Sequence, residues 1–299
     1  MTGKHFISLS DYTFEELHII LNYAKQLKKQ KISNVLKDKN IALIFEKNST
    51  RTRISFEVGI KQLGGHATIL NSNDMQLKKG ETIKDTAKVL SRYVDMVMIR
   101  ANNHCDIAEF AHHSSVPVIN GLTDFNHPCQ VLTDIFTYIE HRGNIAGKTI
   151  CWIGDGNNVC NSWLNAANIF KFKLRLALKD GYFPDQSLLS KLQQQKLVEI
   201  FDNKMLVAKD SDLVITDTWV SMGDSNIKER EKTFQDFQVD NEVLKQAKKD
   251  AIFMHCLPAY RDKEVTKEVI DGKQSVVFDE AENRLHVQKA IMCYLLEAI

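Results

Sequence analysis

Short, continuous apolar runs recur along this chain with helical patterns between them, and that alternation leaves few folds open. The run over residues 41–45 has no polar face, which suits a parallel strand covered by helices on both sides. Further candidate strands fall at 67–70, 96–99, 116–119, 149–153, 174–178, 198–201, 213–216, 252–255 and 276–278. Thr13 to Glu16 spells a T-x-x-E capping box, and Leu17, Ile20, Leu21, Ala24 and Leu27 then share one face, so a helix is predicted to run to about Gln30. A βα repeat of this kind, with four prolines and no self-similar period, predicts an α/β protein rather than a solenoid.

At 299 residues the chain is long enough for two domains, each with its own core. The polar, glycine-bearing stretch from His141 to Lys148 precedes a fresh strand, which places the seam in or near the helix after His127. The division expected is residues 1–140, residues 141–282 and a closing helix over 283–299. That helix carries Leu285, Ala290, Ile291 and Leu295 on one side; its pattern suits either half, and it is assigned to the first. The fold class is α/β, with two doubly wound parallel-sheet domains.

Thirty-nine Lys and Arg against 38 Asp and Glu leave a formal charge of +1, too weak a field to argue for nucleic acid or an anionic membrane surface. No apolar run approaches the roughly 20 residues of a membrane span, and the first residues lack the charged-then-apolar plan of a secretory signal, so the cytosol is expected. The six cysteines, at 105, 129, 151, 160, 256 and 293, form no C-x-x-C pair and have no histidines at zinc-finger spacing. Free thiols are expected, five of them packed as small apolar residues and Cys256 set apart by its surroundings.

Strand 41–45 leads into Glu46-Lys47-Asn48-Ser49-Thr50-Arg51-Thr52-Arg53 and then an apolar helix. Hydroxyls, guanidinium groups and free backbone N–H groups at a helix N-terminus suit a phosphate, the plainer alternative being a solvated cap with surface arginines. Arg100 ends another strand, and His127 stands before Pro128, which suits a first helical position. Ligands of open α/β sheets bind at the carboxyl edge, so Ser49 to Thr52, Arg100, His127 and Gln130 can converge there.

In the second half, Gly154-Asp155-Gly156-Asn157-Asn158-Val159 follows a strand and invites comparison with the dinucleotide fingerprint G-x-G-x-x-G. Val159 replaces the third glycine, although Asp180 follows at a tolerable distance, so a nicotinamide-dependent oxidoreductase is a competing reading. Asp217 and then His255-Cys256-Leu257-Pro258 arrive at two later strand ends. A carboxylate there can hold an ammonium, whereas Cys256 could touch an amine or simply pack.

Together, Ser49-Thr50-Arg51-Thr52-Arg53, His127-Pro128-Cys129-Gln130, Asp217 with Ser221-Met222-Gly223, and His255-Cys256-Leu257-Pro258 resemble the motifs of the aspartate/ornithine transcarbamoylase family, in its ornithine pattern. The resemblance runs from Gly3-Lys4-His5-Phe6 to Glu282-Asn283-Arg284-Leu285-His286, with Cys160 and Asn161 as departures at positions not assigned to ligand; Lys79-Gly80-Glu81-Thr82 also resembles the corresponding loop of the aspartate branch. It implies transfer of the carbamoyl group of carbamoyl phosphate to the side-chain amine of L-ornithine, in the cleft between the two domains, with no cofactor and no metal. It implies that carbamoyl phosphate is held by Ser49, Thr50, Arg51, Thr52, Arg100, His127, Gln130 and Arg284, with the backbone near Cys256 and Leu257. Asn158, Asp217, Ser221 and Met222 would hold ornithine; Arg51, Arg100, His127 and Cys256 would be catalytic, and Arg53 structural. The family's homotrimer implies that Gln76 completes a neighbouring subunit's site. Relatives acting on putrescine or acetylornithine, and a non-catalytic anion-binding protein, are the alternatives.

Overall fold

In the computed structural model, which describes residues 4–30, 33–47, 49–72, 75, 80–220 and 226–298, the first helix starts as its capping box predicts. The Thr13 hydroxyl accepts from the Glu16 N–H at 3.2 Å, and the Glu16 carboxylate accepts from the Thr13 N–H at 2.9 Å. Helix α1 (Phe14–Lys29) then buries the five apolar residues that share its face. From there strand and helix alternate: β1 (Asn40–Phe45), α2 (Thr50–Gln62), β2 (His66–Asn71), α3 (Ile83–Leu90), β3 (Met96–Arg100), α4 (His104–His113), β4 (Val118–Leu122) and α5 (Pro128–Arg142). The second half continues with β5 (Thr149–Ile153), α6 (Asn158–Phe170), β6 (Lys173–Ala177), α7 (Gln186–Gln194), β7 (Val198–Phe201), α8 (Lys204–Ala208), β8 (Leu213–Thr216), α9 (Ile227–Phe234), α10 (Asn241–Gln246), β9 (Ile252–Met254), α11 (Lys267–Ile270) and α12 (Val277–Leu295).

The chain divides into two compact units, Met1–Thr133 with Glu282–Ile299, and Asp134–Ala281. The first contains a sheet of order β2-β1-β3-β4, the second a sheet of order β7-β6-β5-β8-β9, and every pair is parallel. In each, the chain winds outward from its first strand and then crosses to the other side of it, the doubly wound topology that the alternation predicts. The reversal falls between β1 and β3 in one sheet and between β5 and β8 in the other, so the carboxyl ends of those strands mark the two ligand-binding edges. Every residue of β3 is buried, as befits a strand covered on both faces. Ala42, Ile44, Val97 and Ile99 pack with Ile107 and Phe110 of α4 in the first core; Cys151, Ile153, Val214 and Phe253 pack with Phe234 and Val243 in the second.

Several elements differ from their sequence prediction. Residues 276–278 form no strand: Ser275 makes a single bridge to Phe253, and helix α12 begins at Val277. Two valines and a phenylalanine look like a strand, but Asp279 and Glu280 place negative charge in the helix's first turn, and Phe278 is exposed. The closing helix therefore starts six residues before Asn283. The strand expected at 116–119 lies at Val118–Leu122, because Pro117 has no N–H and contributes only its carbonyl, to Val97 N. Cys105 is exposed rather than packed, whereas Cys129, Cys151, Cys160 and Cys293 are buried. No helix among the described residues is long and apolar enough to cross a membrane.

Candidate active site

In the first unit, β1 ends at Phe45, directly opposite Arg100 at the end of β3. Ser49 caps α2, its hydroxyl accepting from Thr52 N at 3.3 Å. Thr50 and Arg51 stand exposed on the first turn, and Thr52 faces inward, fully buried. Two guanidinium groups meet on its hydroxyl: Arg100 Nη1 and Arg284 Nη2 each donate to Thr52 Oγ1 at 3.0 Å. With both lone pairs engaged, the hydroxyl keeps its proton to give. Arg53 instead lies exposed, its Nε 3.9 Å from Glu57 Oε2.

His127 immediately precedes α5, and Gln130 lies in that helix's first turn; both are buried. Burial first, and then the Arg284 and Arg100 charges, hold the His127 imidazole well below its ordinary pKa. It is a neutral ring among cations, suited to donate or accept a hydrogen bond rather than to add charge. Two buried guanidinium groups on one oxygen concentrate positive potential, and an anion at this edge would neutralise it.

In the second unit, Asn157 caps α6, its side-chain oxygen accepting from Val159 N at 3.0 Å and Cys160 N at 3.1 Å. Those are the N–H groups a pyrophosphate would need in a dinucleotide site. Gly156 has another reason to be glycine: a Cβ there would lie 2.4 Å from Pro184 N and 2.6 Å from Phe183 C. The nicotinamide reading loses the support of its glycine loop.

Asn157 Nδ2 donates to Asp217 Oδ2 at 2.8 Å. Asp217 Oδ1 accepts from Thr218 N at 2.7 Å and from Cys256 Sγ at 3.1 Å. A carboxylate fixed by three donors at a sheet edge is prepared for an ammonium group. The Cys256 thiol keeps its proton, because burial and then the Asp217 carboxylate push its pKa well above the ordinary thiol value. Asn158 begins α6, partly buried, its carbonyl accepting from Ser162 Oγ at 3.1 Å. Leu257 N donates to His255 Nδ1 at 2.9 Å.

Asp217, His255 and Cys256 offer potential metal-ligand atoms within 4.8 Å of one another. Both His255 nitrogens are already engaged, however, Nδ1 by Leu257 and Nε2 by Glu264 Oε1 at 3.2 Å. Gln76, Ser221 and Met222 lie outside the described residues. Three features were not anticipated from the sequence. Asn157 orients Asp217; Glu264 and Glu280 support the segment after β9; and Arg230 pairs with Asp155 while its Nε donates to the Trp219 carbonyl at 2.6 Å. Only Asn157 had a local signal, as a helix-capping residue type.

One sheet edge gathers guanidinium and imidazole groups, and the other fixes a carboxylate; such equipment belongs to an enzyme that takes an anionic and a cationic substrate. The family model "Aspartate/ornithine carbamoyltransferase, carbamoyl-P binding domain" matches residues 4–140, and "Aspartate/ornithine carbamoyltransferase, Asp/Orn binding domain" matches residues 146–295. The chain belongs to the aspartate/ornithine carbamoyltransferase family. It is 52% identical over 301 residues to an ornithine carbamoyltransferase of Hydrogenovibrio crunogenus, covering 99% of each chain. It is similar to the solved ornithine carbamoyltransferase of Pyrococcus furiosus (TM-score 0.94, 45% identity, 100% of this chain and 98% of that one). The anabolic ornithine carbamoyltransferase of Campylobacter jejuni matches with a TM-score of 0.91 and 46% identity, over 98% of both chains.

Proposed function

We propose that this chain transfers the carbamoyl group of carbamoyl phosphate to the side-chain amine of L-ornithine, giving L-citrulline and phosphate. The observation that carries the reading is the meeting of Arg100 and Arg284 on Thr52 beside a neutral His127; Thr52, Arg100 and His127 lie within the segment matched by the carbamoyl-P binding domain, and Arg284 lies in the closing segment that belongs to the same compact unit. In this reading the phosphate sits on the first turn of α2, held by Ser49, Thr50, Arg51 and Thr52, with Gln130 and Arg284 beside it. Arg100, His127 and the Thr52 hydroxyl face the carbonyl oxygen, where negative charge grows as the amine attacks; a donor so placed is often worth about 3 kcal/mol. Arg51 stabilises the departing phosphate, and the backbone near Cys256 and Leu257 completes the contacts to the carbamoyl group.

Asn158, Asp217, Ser221 and Met222 hold ornithine. Its side-chain amine, with a lysine-like pKa of about 10.4, is neutral roughly one time in a thousand near pH 7.4, a handicap of about 4 kcal/mol. Exclusion of water and the repulsion of nearby guanidinium charges offset part of it. Cys256, a protonated thiol, serves as a contact to the amine and not as a covalent nucleophile.

The first unit is assigned to carbamoyl phosphate and the second to ornithine. The working enzyme is a cytoplasmic homotrimer in which Gln76 reaches a neighbouring subunit's site; light scattering that reads a monomer mass would overturn the assembly. The activity is tested by colorimetric citrulline assay of the purified protein with carbamoyl phosphate and L-ornithine, beside arms with putrescine and acetylornithine and an NADH titration. Citrulline from the ornithine arm alone is expected. Product only in another amine arm, or NADH binding without citrulline, would reject the proposal.

A further inference from the structure

Two helices of the first unit end side by side. Leu27 lies in the last turn of α1, Gln62 closes α2, and the segment after α1 runs along the end of α2, with Ser33 N donating to Gln62 O and Leu36 N to Leu63 O at 2.8 Å each. Carbonyls in a helix's last turn lack partners one turn further on and carry its negative pole, so two such poles meet at one place. Lys289 of α12 reaches it. The side chain is fully buried, and Nζ donates to Gln62 Oε1 at 2.9 Å and to the Leu27 carbonyl at 3.4 Å. An ammonium out of water is costly without acceptors around it, so Lys289 favours the one register of α12 that brings it here.

Along α12, contacts with α2 run in the same order as the chain and contacts with α1 in the reverse order. Arg284 meets Thr52 in the first turn of α2, and further on Gly59 lies against α12, where a Cβ would stand 3.1 Å from Lys289 Cγ and 3.4 Å from Leu285 Cδ1. On the α1 side, Lys28 Nζ donates to Asn283 Oδ1 at 2.8 Å and the Tyr294 hydroxyl to Glu16 Oε1 at 3.1 Å. Arg284 and Lys289 thus grip the two ends of α2 from one helix. A slip of one residue would move α12 by about 1.5 Å along its axis, enough to break the bond at Thr52. We infer that Lys289 is a positioning residue: by joining the ends of α1 and α2 it fixes the height of α12 and so delivers Arg284 Nη2 to Thr52 Oγ1. The inference rests on the reading of Thr52, Arg100 and Arg284 as the carbamoyl phosphate side of the site.

Lys289→Met keeps an unbranched stem and removes the charge and the donors, touching no group placed at the site. It is expected to raise the KM for carbamoyl phosphate about tenfold, the scale of one weakened charged hydrogen bond, with the KM for ornithine at saturating carbamoyl phosphate within about twofold of the parent. A residue that only fills the core would move both constants or neither, so an unchanged carbamoyl phosphate KM, or an equal rise for both substrates, would overturn the inference. A double-mutant cycle with Thr52→Val asks whether Lys289 acts through that oxygen. With the acceptor gone, Lys289→Met should cost less than about twofold in kcat/KM for carbamoyl phosphate; the full tenfold in that background would also overturn the inference.

Should Lys289→Met fail to fold, Gln62→Leu takes away one of the two bonds from the other end. A rise of about threefold in the carbamoyl phosphate KM alone is expected, and no rise counts against the proposal. If the parent makes no citrulline, the functional reading falls, and the same cycle is read in urea unfolding instead. A stability loss in the double variant smaller than the sum of the two single losses keeps Lys289 coupled to Thr52, and an additive loss overturns the inference.

Discussion

Thr52 shows how one buried hydroxyl can organise charge. Residue types at this site were readable from the chain: a run of Ser, Thr and Arg before an apolar helix speaks of an anion. That Thr52 turns inward while Arg51 and Thr50 stay exposed is a matter of helix phase, and that both Arg100 and Arg284 choose its oxygen is a matter of packing. Thr52→Val keeps the shape and removes both acceptor sites. It is expected to lower kcat/KM for carbamoyl phosphate by about two orders of magnitude, since bonds to charged groups are worth roughly 1.5–3 kcal/mol each. Steady-state kinetics at fixed ornithine check this; a variant within about threefold of the parent would remove Thr52 from the site.

At the scale of elements, the short apolar strands and the capped first helix were legible because periodicity and capping are local properties. The prediction at 276–278 failed for the same reason: three apolar residues carry no phase, and the acidic first turn of α12 decided between strand and helix. The turn after β5 misled in another way. Gly154-Asp155-Gly156 looks like a phosphate loop, yet Gly156 is small because the backbone of Phe183 and Pro184 presses against it, and the helix behind it is capped from within by Asn157. Gly156→Ala forces a methyl into backbone atoms that cannot give way, and a loss of about 1–3 kcal/mol is expected from urea denaturation. A stability unchanged within a few tenths of a kcal/mol would mean the loop shifts freely.

For the whole molecule, proton linkage sums over many groups. Burial lowers the pKa of His5, His104, His127 and His286, His127 furthest. Each takes up a proton near pH 6.5 when the chain is unfolded and resists it when folded. The unfolded state therefore binds more protons below about 6.5, and stability declines as pH falls from 7.5 to 5.5. Carboxylates such as Glu16, lowered to about 2 chiefly by its Lys4 partner, and Asp95 act in the same direction at lower pH, outside that window. Urea midpoints at the two pH values, for the parent and for His127→Gln, check the sign: the parent should lose stability and the variant should lose less. A flat profile in the parent would contradict the buried, neutral state of His127.

The sequence by itself determined the parallel α/β class, the alternation of strand and helix up to β9 and the chemical types at each strand end, because these depend on patterns within a few neighbouring residues. Tertiary structure alone decided which of those residues meet. Thr52 finds Arg100 across 48 positions and Arg284 across 232, and Glu264 reaches back to His255 around a turn that no local pattern announces. Such meetings are set by how the strands are ordered within a sheet and how the last helix returns to the first unit, and neither is written in any short stretch of the chain.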